Sequence, residues 1–222
     1  MLINLLGGDG CGKTTQTEVI CKWVESEFGL NSRTMAKRDI FDPDRVPECD
    51  FFRITYPELA HEYLPIMKGE SRALWLIYMN AVLIRRFPPR PGEVVVHDGF
   101  WQKHYATEAA MGVDRSWLLD VCKMFPEPDM TVMLDLDPRV IVSRGHKHHP
   151  YESGCDFECG DASFIAHQDK VRSLLLDLSR QRNYPIVDAD QPVDCLTREL
   201  QNLLTPKLQA EAETVKGRLK HA

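Results

Sequence analysis

The residue types most capable of chemistry lie close together near the start of the chain, at positions 7–14. They read Gly-Gly-Asp-Gly-Cys-Gly-Lys-Thr and fit the pattern G-x-x-x-x-G-K-[ST]. Glycines allow backbone N–H groups to converge on phosphate oxygens, and the amino end of a following helix adds partial positive charge. Lys13 would reach the β- and γ-phosphates of a nucleoside triphosphate, and the Thr14 hydroxyl would be a ligand of Mg²⁺. The stretch therefore predicts a site for ATP and Mg²⁺.

The elements on either side of this loop suit that role. Residues 2–6 are mostly apolar and indicate a buried strand, while residues 15–28 carry an apolar stripe at helical spacing. A glycine-rich turn that binds nothing is the plain alternative, but the strand–loop–helix order favours the phosphate site. The residues of the loop expected to bind the nucleotide are Gly7, Asp9, Gly10, Cys11, Gly12, Lys13, Thr14 and Thr15.

Length and composition limit the class of protein. With 222 residues, 43% of them hydrophobic, the chain suits one α/β domain spanning residues 1–222. The net charge of −6 and pI near 5.8 argue against a broad nucleic-acid surface, so the expected partner is a small phosphorylated molecule. Nothing in the sequence reads as a signal peptide or membrane span, and we expect no membrane partner. Seven cysteines with scattered spacing are typical of reduced thiols and predict a cytoplasmic protein.

The rest of the chain alternates apolar runs with helical patterns. Strands are expected at 32–37, 94–98, 130–136 and 184–187, and helices at 58–67, 71–87, 115–124, 138–144, 162–182 and 192–204. This order predicts a five-stranded parallel sheet with helices on both faces, the P-loop NTPase fold. Residues 145–160 lack an apolar period and suit a short mobile lid, and residues 205–222 indicate a charged C-terminal helical tail.

Asp98 is the strongest acidic candidate. It closes the apolar run Val-Val-Val-His-Asp, and ligands of such sheets bind at the carboxyl ends of the strands. A carboxylate at the end of a buried strand needs a cation or hydrogen-bond donors. We expect Asp98 to be catalytic, as a Mg²⁺ ligand with Thr14 or as an acid that orients the acceptor. The alternative is a cap for the segment after Phe100.

A second cluster of chemically capable residues lies in and after the expected lid. Imidazoles and thiolates are zinc ligands, so the cluster could hold Zn²⁺ and stiffen the lid. The spacing matches none of the tight zinc signatures, and a polar loop with reduced thiols is the alternative. The cluster comprises His146, His148, His149, Cys155, Cys159 and His167.

With these stretches in order, the sequence resembles the thymidylate kinase family of P-loop nucleotide kinases. The resemblance covers most of the chain, and the loop is its most specific part. It implies transfer of the γ-phosphoryl group of ATP to a nucleoside monophosphate, either thymidylate or a related or modified pyrimidine nucleotide. The matching stretches are 7–16, 94–98, 128–138 with the arginine at 144, 151–152 and 187–192.

On the acceptor side, the resemblance implies that Asp9 holds the sugar hydroxyl of the monophosphate. Lys37 and Arg38 follow the second strand, where the family has an arginine over the acceptor phosphate. Phe100, Trp101 and Tyr105 follow Asp98 and could sandwich the acceptor base, because aromatic stacking tolerates different bases. The alternatives are a turn-forming Asp9, solvated surface charge for the two cations, and core packing for the three aromatic residues.

On the donor side, the resemblance implies that Arg144 stacks on adenine and neutralises the transferring phosphate. Ala189 falls in the family's adenine-side loop, and Lys147 is the lid cation expected to reach the transferring group. The alternatives are that Arg144 only complements the negative end of a helix and that Lys147 is an ordinary surface lysine. Family members commonly form homodimers, and the apolar helix around residues 74–84 is the expected contact face.

The chain departs from the family at two arginines. The family's Asp-Arg-aromatic motif reads Asp98-Gly99-Phe100 here, and residues 78–82, where the family has a thymine-reading arginine, contain none. Arg72, Arg85 or Arg86 could replace the thymine-reading arginine, but only with a shift in the alignment. Arg53 and Arg72 are further candidates for the role of Lys37 and Arg38. These departures keep two alternatives open: a kinase for a different small phosphorylated acceptor, and a non-catalytic ATP-binding module.

Overall fold

The computed structural model describes residues 1–52 and 54–219 and has the expected α/β architecture. Its five strands form one parallel sheet in the order β2-β3-β1-β4-β5, so the first strand is central. The register pairs Leu5 of β1 with Asp98 of β3 and with Val132 of β4. The strands are β1 (Leu2–Gly7), β2 (Asn31–Met35), β3 (Glu93–Asp98), β4 (Met130–Asp135) and β5 (Ile186–Asp188).

Helices cover both faces of the sheet. Two short helices with a π-helical turn, Leu59–Tyr63, between them precede α4, and 3₁₀ turns lie at Lys37–Phe41 and Pro47–Phe52. No described helix is long and apolar enough to cross a membrane. The helices are α1 (Lys13–Phe28), α2 (Tyr56–Glu58), α3 (Leu64–Ile66), α4 (Gly69–Arg86), α5 (Trp101–Ala110), α6 (Arg115–Cys122), α7 (Pro138–Ser143), α8 (Asp161–Gln181) and α9 (Val193–Leu219).

The central strand contributes side chains to two separate cores because alternate residues of a strand point to opposite faces. Leu2 and Leu6 pack in the core that includes residues of α4, α5, α6 and α8. Ile3 and Leu5 pack in the second core, which includes residues of α1, α7 and α9. Burial on both faces explains why the strand sequences are apolar runs rather than alternating patterns.

Three local expectations differ from the structure. Helix α5 was not expected, because most of its buried residues are polar and give no apolar period. The helix expected at 162–182 begins one residue earlier, at Asp161, with Gly160 at its N-cap position. The expected break at position 204 is absent: α9 continues through Pro206 because Leu204 and Leu208 are both fully buried on its inner face. The last residues of the expected tail, 220–222, lie outside the described residues.

Candidate active site

A cavity of about 460 Å³ opens where β1 and β3 end, at the carboxyl edge of the sheet. The phosphate-type loop forms one wall, and residues after β2 and β3 form the opposite wall. The segment 146–152 closes a third side. The expected site residues that line this cavity are Asp9, Gly10, Gly12, Lys13, Thr14, Thr15, Lys37, Arg38 and Asp98.

The loop conformation depends on glycine at two positions. Gly12 has φ +92° and forms the N-cap of α1, a left-handed conformation that is costly for residues with a Cβ. Gly10 has φ +79°, and a Cβ there would lie 2.6 Å from Cγ2 of Ile141. The loop therefore passes close to α7 while the amino end of α1 faces the cavity, as anion binding requires. Gly7, at the end of β1, lies against the buried Cys11, because a Cβ at residue 7 would be 2.5 Å from Sγ of Cys11.

Lys13 begins α1 and is 8% exposed. Its Nζ donates to the Gly8 carbonyl oxygen at 2.6 Å, so the side chain folds back along the loop. Burial disfavours the charged form, but Cys11, Asp98 and Asp9 overcome this effect and raise the pKa of Lys13 above its ordinary value. The site therefore holds a permanent ammonium group at the amino end of the helix.

Thr14 and Asp98 meet across the cavity floor. Thr14 Oγ1 donates to Asp98 Oδ2 at 2.5 Å, which joins the start of α1 to the end of β3. Two hard oxygen donors beside a phosphate-type loop are ligands that Mg²⁺ prefers. The donor set fits the ion that the sequence implies.

Asp9 is enclosed by cations. Its Oδ2 accepts from Lys103 Nζ at 2.7 Å and from Gln168 Nε2 at 3.2 Å. Burial opposes ionisation of Asp9, but the ammonium groups of Lys103, Lys13 and Lys37 hold the pKa of its carboxyl well below its usual range. Asp9 is a fixed carboxylate.

The wall opposite the loop combines cations with aromatic rings. Lys37 Nζ lies 5.6 Å from the ring centroid of Tyr56 and 5.4 Å from that of Tyr151. His104 lines the cavity at 2% exposure, and neither ring nitrogen has a hydrogen-bond partner among residues 1–52 and 54–219. Burial lowers the pKa of His104 well below its ordinary value, and Lys37 and Lys103 lower it further. His104 is thus neutral, with one donor and one acceptor nitrogen that are both buried.

The segment expected to be a mobile lid is seated on the body of the protein. Tyr151 is 3% exposed, and its hydroxyl donates to Glu108 at 3.0 Å. Gln168 Nε2 donates to the Glu152 carbonyl oxygen at 2.9 Å. His146 lies 3.4 Å from the Glu152 carboxylate, which raises the pKa of that imidazole. Residues 146–152 therefore close the cavity in this conformation through specific contacts.

The structure places three expected acceptor residues away from the cavity. Phe100 is fully buried and packs against Phe125 at 5.2 Å between ring centroids, and Tyr105 is 7% exposed in the same core. Their expected role in stacking a base is wrong, because neither ring reaches the cavity. Arg72 is also buried: Nε donates to Glu108 at 2.9 Å and Nη1 donates to the Met67 carbonyl oxygen at 2.7 Å.

The donor-side candidates do not line the cavity. Arg144 Nη2 donates to Asp190 at 2.7 Å, and Ala189, 3% exposed, donates its N–H to the Asp135 carbonyl oxygen. Arg144 and the loop after β5 are thus brought together as the resemblance implies, outside the cavity lining. Lys147 is exposed and does not line the cavity either. Arg53 lies outside the described residues.

Sequence reasoning missed a set of residues that the structure brings to the cavity or to Asp9. The available signal was the polar run within residues 101–108, where buried polar residues need partners. No zinc site appears in the described part of the chain, which contains no group of three or more His, Cys, Asp or Glu placed to hold a metal ion. The missed residues are Tyr56, Lys103, His104 and Gln168. His146 and His149 were named as zinc candidates and Glu152 within a matching stretch, and the structure places all three at the cavity.

Comparison with known proteins agrees with the sequence resemblance. The chain is 26% identical over 199 residues to a probable thymidylate kinase of Sulfolobus acidocaldarius, covering 89% of this chain and 93% of that protein. It is 27% identical over 190 residues to a probable thymidylate kinase of Saccharolobus solfataricus, covering 86% and 89%. The resemblance to thymidylate kinases is confirmed. No family model matches the chain.

The fold is likewise that of a thymidylate kinase of known structure. The thymidylate kinase from Candida albicans superposes with a TM-score of 0.66 at 19% identity, covering 93% of this chain and 92% of that one. The expected P-loop NTPase fold, with a five-stranded parallel sheet between helices, is confirmed. A thymidylate kinase of Caldivirga maquilingensis, described as probable, is 23% identical over 214 residues, covering 96% of this chain and 97% of that protein.

Proposed function

We propose that this protein is an ATP-dependent kinase that transfers the γ-phosphoryl group to thymidylate or a closely related nucleoside monophosphate. One observation carries the proposal. A single cavity is lined by Lys13 and the Thr14–Asp98 pair and also by Lys37, Arg38 and Lys103. One space therefore holds charge for a donor triphosphate and further charge for an acceptor phosphate.

The residues supply what phosphoryl transfer needs, which is position and neutralised charge rather than covalent chemistry. Lys13 and the N–H groups at the start of α1 bind the donor phosphates. Thr14 and Asp98 hold Mg²⁺, which neutralises charge on the phosphates when bound. Asp9, fixed as a carboxylate, accepts a hydrogen bond from a hydroxyl of the acceptor sugar. Residues 146–152 keep water away from the transferring group.

We further propose the domain organisation, the cellular location and the oligomeric state of the protein. Residues 145–160 act as the lid of a single domain spanning residues 1–222, with Arg144 and Ala189 on the adenine side. The seven cysteines all lie in the described residues as free thiols, which supports a cytoplasmic location. Leu74 and Tyr78 on α4 are 48% and 40% exposed, and these apolar surfaces support a homodimer through this helix.

The structure also supports a second candidate for the base of the acceptor nucleotide. Glu108 and Met67 engage Arg72, so this arginine is not available to read a thymine. Neutral His104 lines the same cavity, with both ring nitrogens buried and without a hydrogen-bond partner among the described residues. These contacts favour a pyrimidine monophosphate other than thymidylate as the second candidate acceptor. The Lys13–Thr14–Asp98 arrangement disfavours a module that only binds ATP.

The test is ADP release by the purified protein with ATP, Mg²⁺ and each of several acceptors: thymidylate, deoxyuridylate, deoxycytidylate, deoxyguanylate and a 5-substituted pyrimidine nucleotide. We expect turnover with at least one pyrimidine monophosphate and no release from acceptor-free protein beyond slow hydrolysis. Equal ADP release with and without every acceptor would contradict the kinase proposal. Preference for thymidylate above about 10³-fold over every other acceptor would reject the second candidate.

A further inference from the structure

The residue directly after Asp98 is a glycine that leaves space between two lysines. Gly99 has φ +66°, in the left-handed region that disfavours side chains. A Cβ at this position would lie 3.4 Å from Cβ of Lys103 and 3.6 Å from Cε of Lys13. The two lysines therefore flank Gly99 at van der Waals distance, and residue 99 itself contributes no charge.

Lys103 reaches the site from the first turns of α5. It is 7% exposed, and its Nζ lies 2.7 Å from Oδ2 of Asp9. Burial lowers the pKa of Lys103, Asp9 opposes this effect, and the positive charges of Lys13 and Lys37 lower it further. Burying a long cationic side chain is costly unless partners compensate it.

The carboxylates of the cavity are shared unequally among its lysines. Asp98, Asp9 and Glu152 act on Lys13, and Asp9 and Glu152 act on Lys37. The charges that act on Lys103 are one carboxylate, Asp9, and two ammonium groups, those of Lys13 and Lys37. An ammonium group has three N–H donors, and the contact with Asp9 uses one of those of Lys103. The remaining donors suit an anionic group placed in the cavity.

We propose that Lys103 binds the phosphate of the acceptor nucleotide, on the side of Gly99 opposite Lys13. This inference rests on the proposed kinase function. Reacting groups must approach to about 3–3.5 Å, so the acceptor phosphate has to lie next to the donor phosphate held by Lys13. Lys103 is the cation adjoining that place from α5. Gly99 permits the approach because a side chain there would occupy the space between the two lysines.

The test compares the binding of an acceptor nucleotide with the binding of the same nucleoside without its phosphate. Binding is measured by calorimetry for the monophosphate with the highest kcat/KM and for its nucleoside, which lacks the phosphate. With Lys103→Met, the monophosphate Kd should rise by about 10- to 100-fold, the range of a hydrogen bond to a charged group. The nucleoside Kd and the KM for ATP should change by less than about 2-fold. Lys103→Arg should retain part of the difference because it keeps the charge.

Lys123→Met is the matched control, because Lys123 is an exposed lysine paired with Asp120 far from the cavity. It should leave both Kd values unchanged. If Lys103→Met weakens nucleoside and monophosphate equally, Lys103 only positions Asp9, and the proposal is overturned; unchanged binding of both ligands also overturns it. Should the methionine variant not fold, Lys103→Gln is used, because its amide can still donate to Asp9 without a charge.

The same experiment distinguishes failure of this inference from failure of the proposed function. If the wild-type protein releases no ADP with any acceptor, the kinase proposal fails. The binding test then uses thymidylate and thymidine in place of the best acceptor and its nucleoside. A phosphate-specific loss at Lys103 would then still support the inference about this residue. Normal turnover by wild type and by Lys103→Met, with equal monophosphate Kd, overturns the inference alone.

Discussion

Replacing Lys13 by methionine tests whether the loop performs chemistry. Methionine has nearly the length of lysine and no charge, so the substitution removes the ammonium group and keeps most of the packing. The loss of the contact from Nζ to the Gly8 carbonyl oxygen, 2.6 Å long, should cost about 1 kcal/mol of folding free energy. The fold should therefore survive.

The expected loss of activity follows from the burial of this side chain. At 8% exposure Lys13 is largely removed from water, so an effective dielectric constant near 20 is more suitable than that of bulk water. A unit charge 4 Å away then contributes about 4 kcal/mol, against about 1 kcal/mol in bulk water. Since about 1.4 kcal/mol corresponds to a tenfold change in rate, kcat/KM should fall by about 10³-fold.

The assay is steady-state ADP release with the best acceptor, accompanied by urea unfolding. Lys22→Met is the matched control, because Lys22 lies on the exposed side of the same helix, α1. The control should retain full activity and stability. If Lys13→Met keeps kcat/KM within about tenfold of wild type, Lys13 does not contact the transferring phosphate. If kcat/KM of Lys13→Met is as high as that of Lys22→Met, the electrostatic reasoning is refuted.

Three further predictions follow from the site. Asp98→Asn should lower kcat by about 10²-fold and shift the magnesium dependence of kcat, because the amide lacks the charge that a metal ion prefers. If kcat depends on magnesium as in wild type, Asp98 has only a structural role. Gly10→Ala should cost about 2–4 kcal/mol in urea unfolding, because it combines left-handed strain with a Cβ 2.6 Å from Cγ2 of Ile141. The pKa of His146 is raised by Glu152, so its stabilising contribution is complete below about pH 6.5 and is lost as the pH rises through the folded value. The stability difference between wild type and His146→Gln should therefore shrink between pH 6 and pH 8, and a constant difference would contradict this assignment.

The parts of the site that follow fixed local spacing were predictable from the sequence. The loop residues and Asp98 lie where expected, because phosphate geometry sets the spacing of the loop and parallel topology sets the edge to which strand ends point. The buried runs of β3 and β4 were recognisable for a related reason. Strands covered on both faces have few polar residues to obscure their ends.

The parts that depend on contacts between distant segments were not predictable. Arg72 and Glu108 are 36 positions apart, and no spacing rule shows that they pair inside the protein. Helix α5 gave no apolar period because Gln102, Lys103 and Glu108 are buried polar residues whose partners lie on other elements. Phe100 and Tyr105 were misplaced because an aromatic residue in a core and one in a binding site look alike in a sequence.

The position of α9 has a consequence for biosynthesis. Leu200, Leu204 and Leu208 on this last helix are in the same core as Ile3 and Leu5 of the central first strand. A ribosome-bound chain that lacks residues 193–219 therefore exposes the part of one apolar face of its sheet that α9 covers, although all five strands have already been made. Domains generally fold as units during synthesis. This one cannot close its second core until α9 has been made, so a nascent chain stalled before α9 should remain a substrate for chaperones that bind apolar surfaces.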